Sequence, residues 1–333
     1  MSILHNPHPP IEAVDPSTFD YAAYDFEHVT AVLGQAASSS LPSSSSSQPQ
    51  PAAGVLLITL NRPQQLNAFT NQQCHSLSFL FELADRDERV KVVVLTGAGK
   101  AFCAGVSNDD AFGVSSALSS PLVQHRDGGG QLVLAILSCR KLVIAAINGV
   151  AVGIGLTMTF PADIRICAEE ARVGVPFVKR GIACDAVSSY MLPRLIGWSR
   201  ASRLILTGDL VKASDRSIED LFYSLHPARE VLPRTLELAE RLSKENSVTS
   251  VALCKSQLWR GATTPEGVHL EESKGLAWCA LYGDAREGVG SFMAKRPVDF
   301  KGTLGELTSQ GWYPWWSAAN VKEGCTRGKE GKL

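Results

Sequence analysis

"VKVVVLTG", residues 90–97, is a Val/Leu run with one lysine and no real alternation of polar and apolar positions. A strand with one wet face would alternate, so this one is expected to be covered on both faces, as in a parallel sheet flanked by helices. The neighbouring segments agree. "CHSLSFLFELADRD" (74–87) and "GQLVLAILSCR" (130–140) repeat apolar residues at helical spacing, whereas "KLVIAAINGV" (141–150) and "ADIRICAE" (162–169) read as further buried strands. Alternating β and α segments of this kind predict a parallel sheet with helices outside.

Upstream, the strand-like runs "FEHVTAVL" (26–33) and "GVLLITLNRP" (54–63) flank "AASSSLPSSSSSQPQPAAG" (36–54). That Ser/Pro/Gln-rich stretch cannot bury a core and reads as a disordered insert. An enlarged hairpin loop between two strands is the simplest arrangement, with a plain linker behind a non-structural N-terminus as the alternative. From about residue 199 the pattern turns helical, through "ASRLILTG", "TLELAERLSKEN" and "TSVALCKSQLWRG" to "GDAREGVGSFMAKRPVDF" (283–300). The expected organisation is an N-terminal extension (1–25), an α/β core (26–198, with the insert at 36–53), a helical region (199–300) and a tail (301–333).

The 333 residues carry a formal net charge of −1, and the basic residues do not cluster, which argues against nucleic acid as the partner. The uncharged run 142–162 contains Asn148, three glycines and Pro161, so it reads as a buried strand, a turn and a helix start, not a membrane span. Eight cysteines without C-x-x-C spacing read as reduced, mostly buried thiols, and no histidine pattern suggests zinc. The chain ends Gly331-Lys332-Leu333, close to the small-basic-Leu peroxisomal address; a flexible Lys/Gly tail would look the same.

Several familiar signatures fail. "TGAGKAF" (96–102) has Val94 where a phosphate loop needs glycine and Ala101 where it needs Ser or Thr. "GVAVGIG" (149–155) lacks the dinucleotide spacing, and no Gly-x-Ser-x-Gly elbow exists. Two strand-to-helix junctions remain, "GAGKAFCAGVSNDD" and "NGVAVGIGLT", whose small residues let backbone N–H groups approach a ligand. Two such groups aimed at one carbonyl oxygen form an oxyanion hole; close helix–strand packing is the plainer reading. "SNDD" (107–110) reads either as part of a pocket lining or, more simply, as a helix start. Asp185, the sole carboxylate between Glu170 and Asp209, sits among Ile182, Ala183, Cys184 and Val187. It reads either as a poorly solvated base or as a cap on the helix that follows.

"LNRPQQLNAFT" (60–70), "VKVVVLTGAGKAFCAG" (90–105), "INGVAVGIGL" (147–156) and "PADIRICAE" (161–169), in that order and spacing, resemble the enoyl-CoA hydratase/isomerase (crotonase) family. "MAKRPVDFKG" (293–302) resembles its closing helix, and "WYPWW" near the C-terminus resembles a fungal branch. The resemblance implies a crotonase-like ββα spiral core with a helical C-terminal region, homotrimers or hexamers, and acyl-CoA thioester substrates. It implies no metal or redox cofactor, coenzyme A being part of the substrate. By position it places oxyanion donors on the N–H groups of Val106, after Ala104 and Gly105, and of Ile154, between Gly153 and Gly155. It also brings Lys295 near a CoA phosphate, although a solvated surface lysine would look the same.

The resemblance departs where hydratases carry two glutamates, since Thr157 and Phe177 stand there. Asp185 falls on the acidic position of peroxisomal-type Δ3,Δ2-enoyl-CoA isomerases, which carry Glu. The resemblance therefore implies an isomerase that shifts a double bond with one base, through a dienolate held in the oxyanion hole. Two alternatives stay open: a dehydratase or hydratase of a branched 3-hydroxyacyl-CoA in a fungal secondary route such as siderophore synthesis, or a non-catalytic CoA-thioester-binding protein.

Overall fold

The structure, a computed structural model, describes residues 7–35, 49–107 and 125–317. The Ser-rich insert, except for its last residues, three of the four "SNDD" residues and the C-terminal tripeptide lie outside the described residues.

Among the described residues, ten strands form two sheets. The larger runs β1 (Val29–Leu33), β2 (Val55–Leu60), β3 (Val92–Gly97), β5 (Leu142–Ile147), β7 (Ile164–Ala168) and β10 (Ser224–His226) in spatial order. The smaller runs β4 (Ala101–Cys103), β6 (Val150–Val152), β8 (Arg172–Gly174) and β9 (Val211–Lys212). From β3 to β8 successive strands alternate between the two sheets, so this part of the chain winds as a spiral. β1 pairs antiparallel with β2, joining the two strand-like runs on either side of the insert. From β2 onward the larger sheet is parallel, with Val55 opposite Val92, Val92 opposite Leu142 and Ile144 opposite Ile164. Every residue of β2 and β3 is buried, as a strand covered on both faces requires.

Helix α1 (Asn71–Arg86) starts on a capping box in which Thr70 and Gln73 each accept the other's backbone N–H. Its buried face, including Leu77, Leu80, Phe81 and Ala84, packs on α2 (Gly128–Ser138). The four-residue α3 (Ile154–Thr157) follows β6, and α4 (Ser188–Ile196) and α5 (Trp198–Thr207) follow the loop that holds Asp185. α6 (Ala228–Glu245) packs against β3, β5 and β7. α7 (Val248–Arg260), α8 (Pro265–Leu281), α9 (Ala285–Met293) and α10 (Leu304–Thr308) complete the helical region.

The stretch read as helical is less uniform than its pattern suggests: β9 and β10 lie within it, and β10 extends the larger sheet. Two- and three-residue strands are too short to show a period. The N-terminal extension is also packed in. His8 reaches Tyr24 and Ser76, and Tyr21, 2% exposed, bonds its hydroxyl to buried Asp87. "WYPWW" folds onto α7, where the Tyr313 hydroxyl meets that of Ser256 and the Trp315 indole donates to the Arg260 carbonyl. The seven described cysteines are free; Cys184 and Cys254 are exposed, and four are buried.

Candidate active site

The two glycine-rich junctions converge on one cavity of about 480 Å³. Ala104, Gly105, Val106, Gly153, Ile154 and Asp185 all line it. Lys295 does not: it sits exposed in the turn after α9, at φ 52°.

The first junction is fixed by a short parallel bridge. The Phe69 N–H donates to the Gly105 carbonyl at 2.7 Å, and the Ser107 N–H donates to the Phe69 carbonyl at 2.9 Å. Since the residues flanking Val106 make these bonds, the peptide alternation turns the Val106 N–H away from Phe69. Gly105 is needed there, because its φ is 109° and a Cβ would lie 3.3 Å from the Val152 carbonyl oxygen.

The second junction is a helix start. Gly153, at φ 55°, accepts the N–H groups of Leu156 and Thr157 on its carbonyl and donates its own N–H to Gly174. Ile154 is the first helical residue, so its N–H has no partner inside the helix. Among the described residues, neither the Val106 nor the Ile154 N–H is hydrogen-bonded.

Asp185 lies in a strained turn. Ala186 and Val187 follow it at φ 50° and 55°, a region a β-branched residue rarely enters. Ser188 locks the turn by donating both its N–H, at 2.9 Å, and its hydroxyl, at 2.7 Å, to the Asp185 carbonyl. The helix-cap reading fails here. α4 begins at Ser188, its cap residue is Val187, and no side chain caps it. The Asp185 carboxylate instead has Oδ1 buried with no hydrogen-bond partner among the described residues. Burial, and then the nearby Asp127 carboxylate, push the Asp185 carboxyl up to about 6.

The two departures from the glutamate pattern differ in placement. Phe177, 4% exposed, lines the cavity as an apolar wall, its ring 3.9 Å from where a Cβ on Gly153 would sit. Thr157 is fully buried, its hydroxyl has no partner among the described residues, and it is not part of the lining. Cys103 lies just before Ala104 and Gly105, but burial pushes its thiol up to about 12, so it is no nucleophile at neutral pH.

Asp127 is the site residue that sequence reading overlooks. It lines the cavity and accepts the Gly130 N–H at 2.5 Å as the N-cap of α2. Its signal is an Asp directly before Gly128-Gly129-Gly130 and an apolar helix, which reads as a cap and carries no hint of the cavity. His125, Arg126 and Arg180 bring basic side chains to the same cavity. Among the described residues, no three His, Cys, Asp or Glu side chains gather as a metal site, and no helix is long and apolar enough to cross a membrane.

Residues 50–303 match the family described as enoyl-CoA hydratase/isomerase. The chain belongs to the enoyl-CoA hydratase/isomerase family. It is 43% identical over 261 residues to the enoyl-CoA hydratase ACTT3 of Alternaria alternata, covering 78% of this chain and 87% of that one. It is 30% identical to the 1,2-epoxyphenylacetyl-CoA isomerase of Escherichia coli, over 75% of this chain and 95% of the relative. Among solved structures, it resembles a probable enoyl-CoA hydratase/isomerase from Mycobacterium abscessus with a TM-score of 0.68 and 34% identity, over 75% of this chain and 96% of the other. The family's crotonase fold matches the spiral of paired strands described above, with its helical C-terminal region.

Proposed function

We propose that this cavity moves a proton at the carbon next to the carbonyl of an acyl-CoA thioester. Asp185 takes the proton, and the N–H groups of Val106 and Ile154 hold the enolate oxygen that forms. The observation that carries this reading is the buried Oδ1 of Asp185, on the same cavity as the Val106 and Ile154 N–H groups, all three without a hydrogen-bond partner among the described residues. A carboxylate that lacks both hydrogen bonds and full hydration is a stronger base than one in water.

With a single base, the cycle that closes without water is a double-bond shift. Asp185 removes a proton from one carbon of a 3-enoyl thioester and returns it two carbons away. A second reading, addition or loss of water, is favoured by the activity for which the Alternaria relative is named. Both readings share the enolate and both fit the family. The basic His125, Arg126 and Arg180 suit an anionic part of such a ligand, and Lys295 is left without a role inside one chain.

Mass spectrometry of the products in heavy water separates the readings. The protein is given a 3-enoyl-CoA and, separately, a branched 3-hydroxyacyl-CoA. A moved double bond at constant heavy-atom composition supports the isomerase, and loss of one water supports the dehydratase. Failure to react with either, with no deuterium uptake, overturns the proposal.

We also propose a homotrimer or hexamer, on the family likeness and on the exposed apolar side chains of α8 and α9, and peroxisomal delivery through Gly331-Lys332-Leu333. A fluorescent fusion that loses its peroxisomal pattern when the tripeptide is removed would support the second point; an unchanged pattern would contradict it.

A further inference from the structure

Thr157 and Phe177 leave both usual glutamate positions without a proton carrier, yet the cavity has two carboxylates on its wall. The second comes from a different element, the start of α2. We propose that Asp127 is a second proton-carrying residue of this site, acting on the oxygen at C3 of the acyl chain while Asp185 acts on the carbon at C2.

The inference rests on the reading of Asp185 given above, and three observations support it. First, the two carboxylate-bearing segments meet. A Cβ built on Gly129 would lie 3.3 Å from Asp127 Oδ1, 3.5 Å from the Cβ of Ala186 and 2.9 Å from Ile154 Cδ1. One glycine therefore separates Asp127 from the residue after Asp185 and from the side chain of an oxyanion residue. Second, the carboxylate is held in place. The Gly130 N–H binds Oδ1 at 2.5 Å, and Oδ2 has no hydrogen bond among the described residues. Third, a cap does not require this side chain. Ser, Thr or Asn would accept the Gly130 N–H as well as Asp does. Asp alone places a like charge beside a buried carboxylate, at an electrostatic cost that a purely structural cap avoids. That charge is the second cause, after burial, of the raised Asp185 carboxyl.

The step balances with water alone. In the hydration direction, ionised Asp127 takes a proton from a water molecule whose oxygen bonds to C3 of a 2-enoyl thioester. The π electrons move to the thioester oxygen, and protonated Asp185 delivers its proton to C2 as the enolate collapses. Proton exchange with solvent then resets both carboxyls. In reverse, Asp185 removes the C2 proton and protonated Asp127 hands its proton to the departing hydroxyl.

Asp127→Asn and Asp127→Ser both keep an acceptor for the Gly130 N–H, so the start of α2 survives while the charge goes. Each variant is assayed in heavy water for deuterium uptake at C2 and for water loss from a 3-hydroxyacyl-CoA. We expect water loss to fall by about 10²-fold or more, the low end of what one acid–base group contributes, with C2 exchange kept within a few-fold. The pH at which C2 exchange is half-maximal should also fall, because the like charge beside Asp185 is gone. Water loss at the parent rate, or an equal fall in both readouts, overturns the assignment. A parent protein that exchanges C2 hydrogens but never gains or loses water also overturns it, while leaving the role of Asp185 intact. A parent protein that exchanges nothing removes both proposals together.

Discussion

At the scale of single residues, the proposed base Asp185 lowers stability through its buried carboxyl. Replacing it with Asn keeps the shape and removes the base, so turnover should fall by roughly 10²–10⁴-fold while acyl-CoA binding stays nearly unchanged. The pH dependence follows from the raised carboxyl. Proton abstraction needs the anion, so kcat/KM for that direction should rise with pH and level off above about 6. The stability effect runs the other way. The folded carboxyl titrates at about 6 and its ordinary value is 3.8, so the folded chain holds the extra proton between those values. Stability therefore decreases as pH rises through that window, and the loss is complete above it. The Asp185→Asn variant should unfold at a higher temperature at neutral pH, by on the order of 1–2 kcal/mol of stability. A scan showing equal or lower stability at pH 7 would contradict buried ionisation. Asp185 was legible in the sequence because no other carboxylate stands near it. Asp127 was not, because its local signature is that of a cap and only the meeting of Gly129, Ile154 and Ala186 brings it to the cavity.

Among elements, the strand-to-helix junctions matter most. Ile154 opens α3, where proline is tolerated because the first helical N–H is unbonded within the helix. Ile154→Pro should therefore remove one oxyanion donor with little harm to the helix. We expect kcat to drop about 10²–10³-fold, the equivalent of ~2.7–4 kcal/mol of transition-state stabilisation. Single-turnover rates that match the parent would show that this N–H is not a donor. The long buried strands and helices could be read in advance because β5 is apolar throughout, β2 and β3 are apolar but for one threonine each and the closing Gly97, and α1 keeps a helical period. The second sheet could not: β4, β6, β8 and β9 have two or three residues each, and only the winding of the chain brings them side by side. The left-handed pair Ala186 and Val187 was equally hidden, since neither residue type announces a positive φ.

For the whole molecule, the surface left open by one chain is the main observation. Leu270, Leu276, Phe292 and Met293 are 63%, 74%, 80% and 75% exposed on α8 and α9, two helices that pack on each other. Assembly into a trimer or hexamer should cover these side chains. Sedimentation of the parent should give a multiple of three times 35.7 kDa, and Phe292→Asp should shift the population toward monomer. A monomeric parent at micromolar concentration would contradict this. The sequence carried no oligomer signal of its own, because an interface made by several helix faces leaves no single period to read.

Deuterium exchange into the acyl α-carbon tests proton transfer by Asp185 without choosing among products. The parent protein and Asp185→Asn are incubated in heavy water with an acyl-CoA thioester, and label at C2 is followed by mass spectrometry. Rapid labelling by the parent and labelling near background by the Asn variant are expected. Equal labelling by both, or none by the parent, would contradict proton transfer by Asp185.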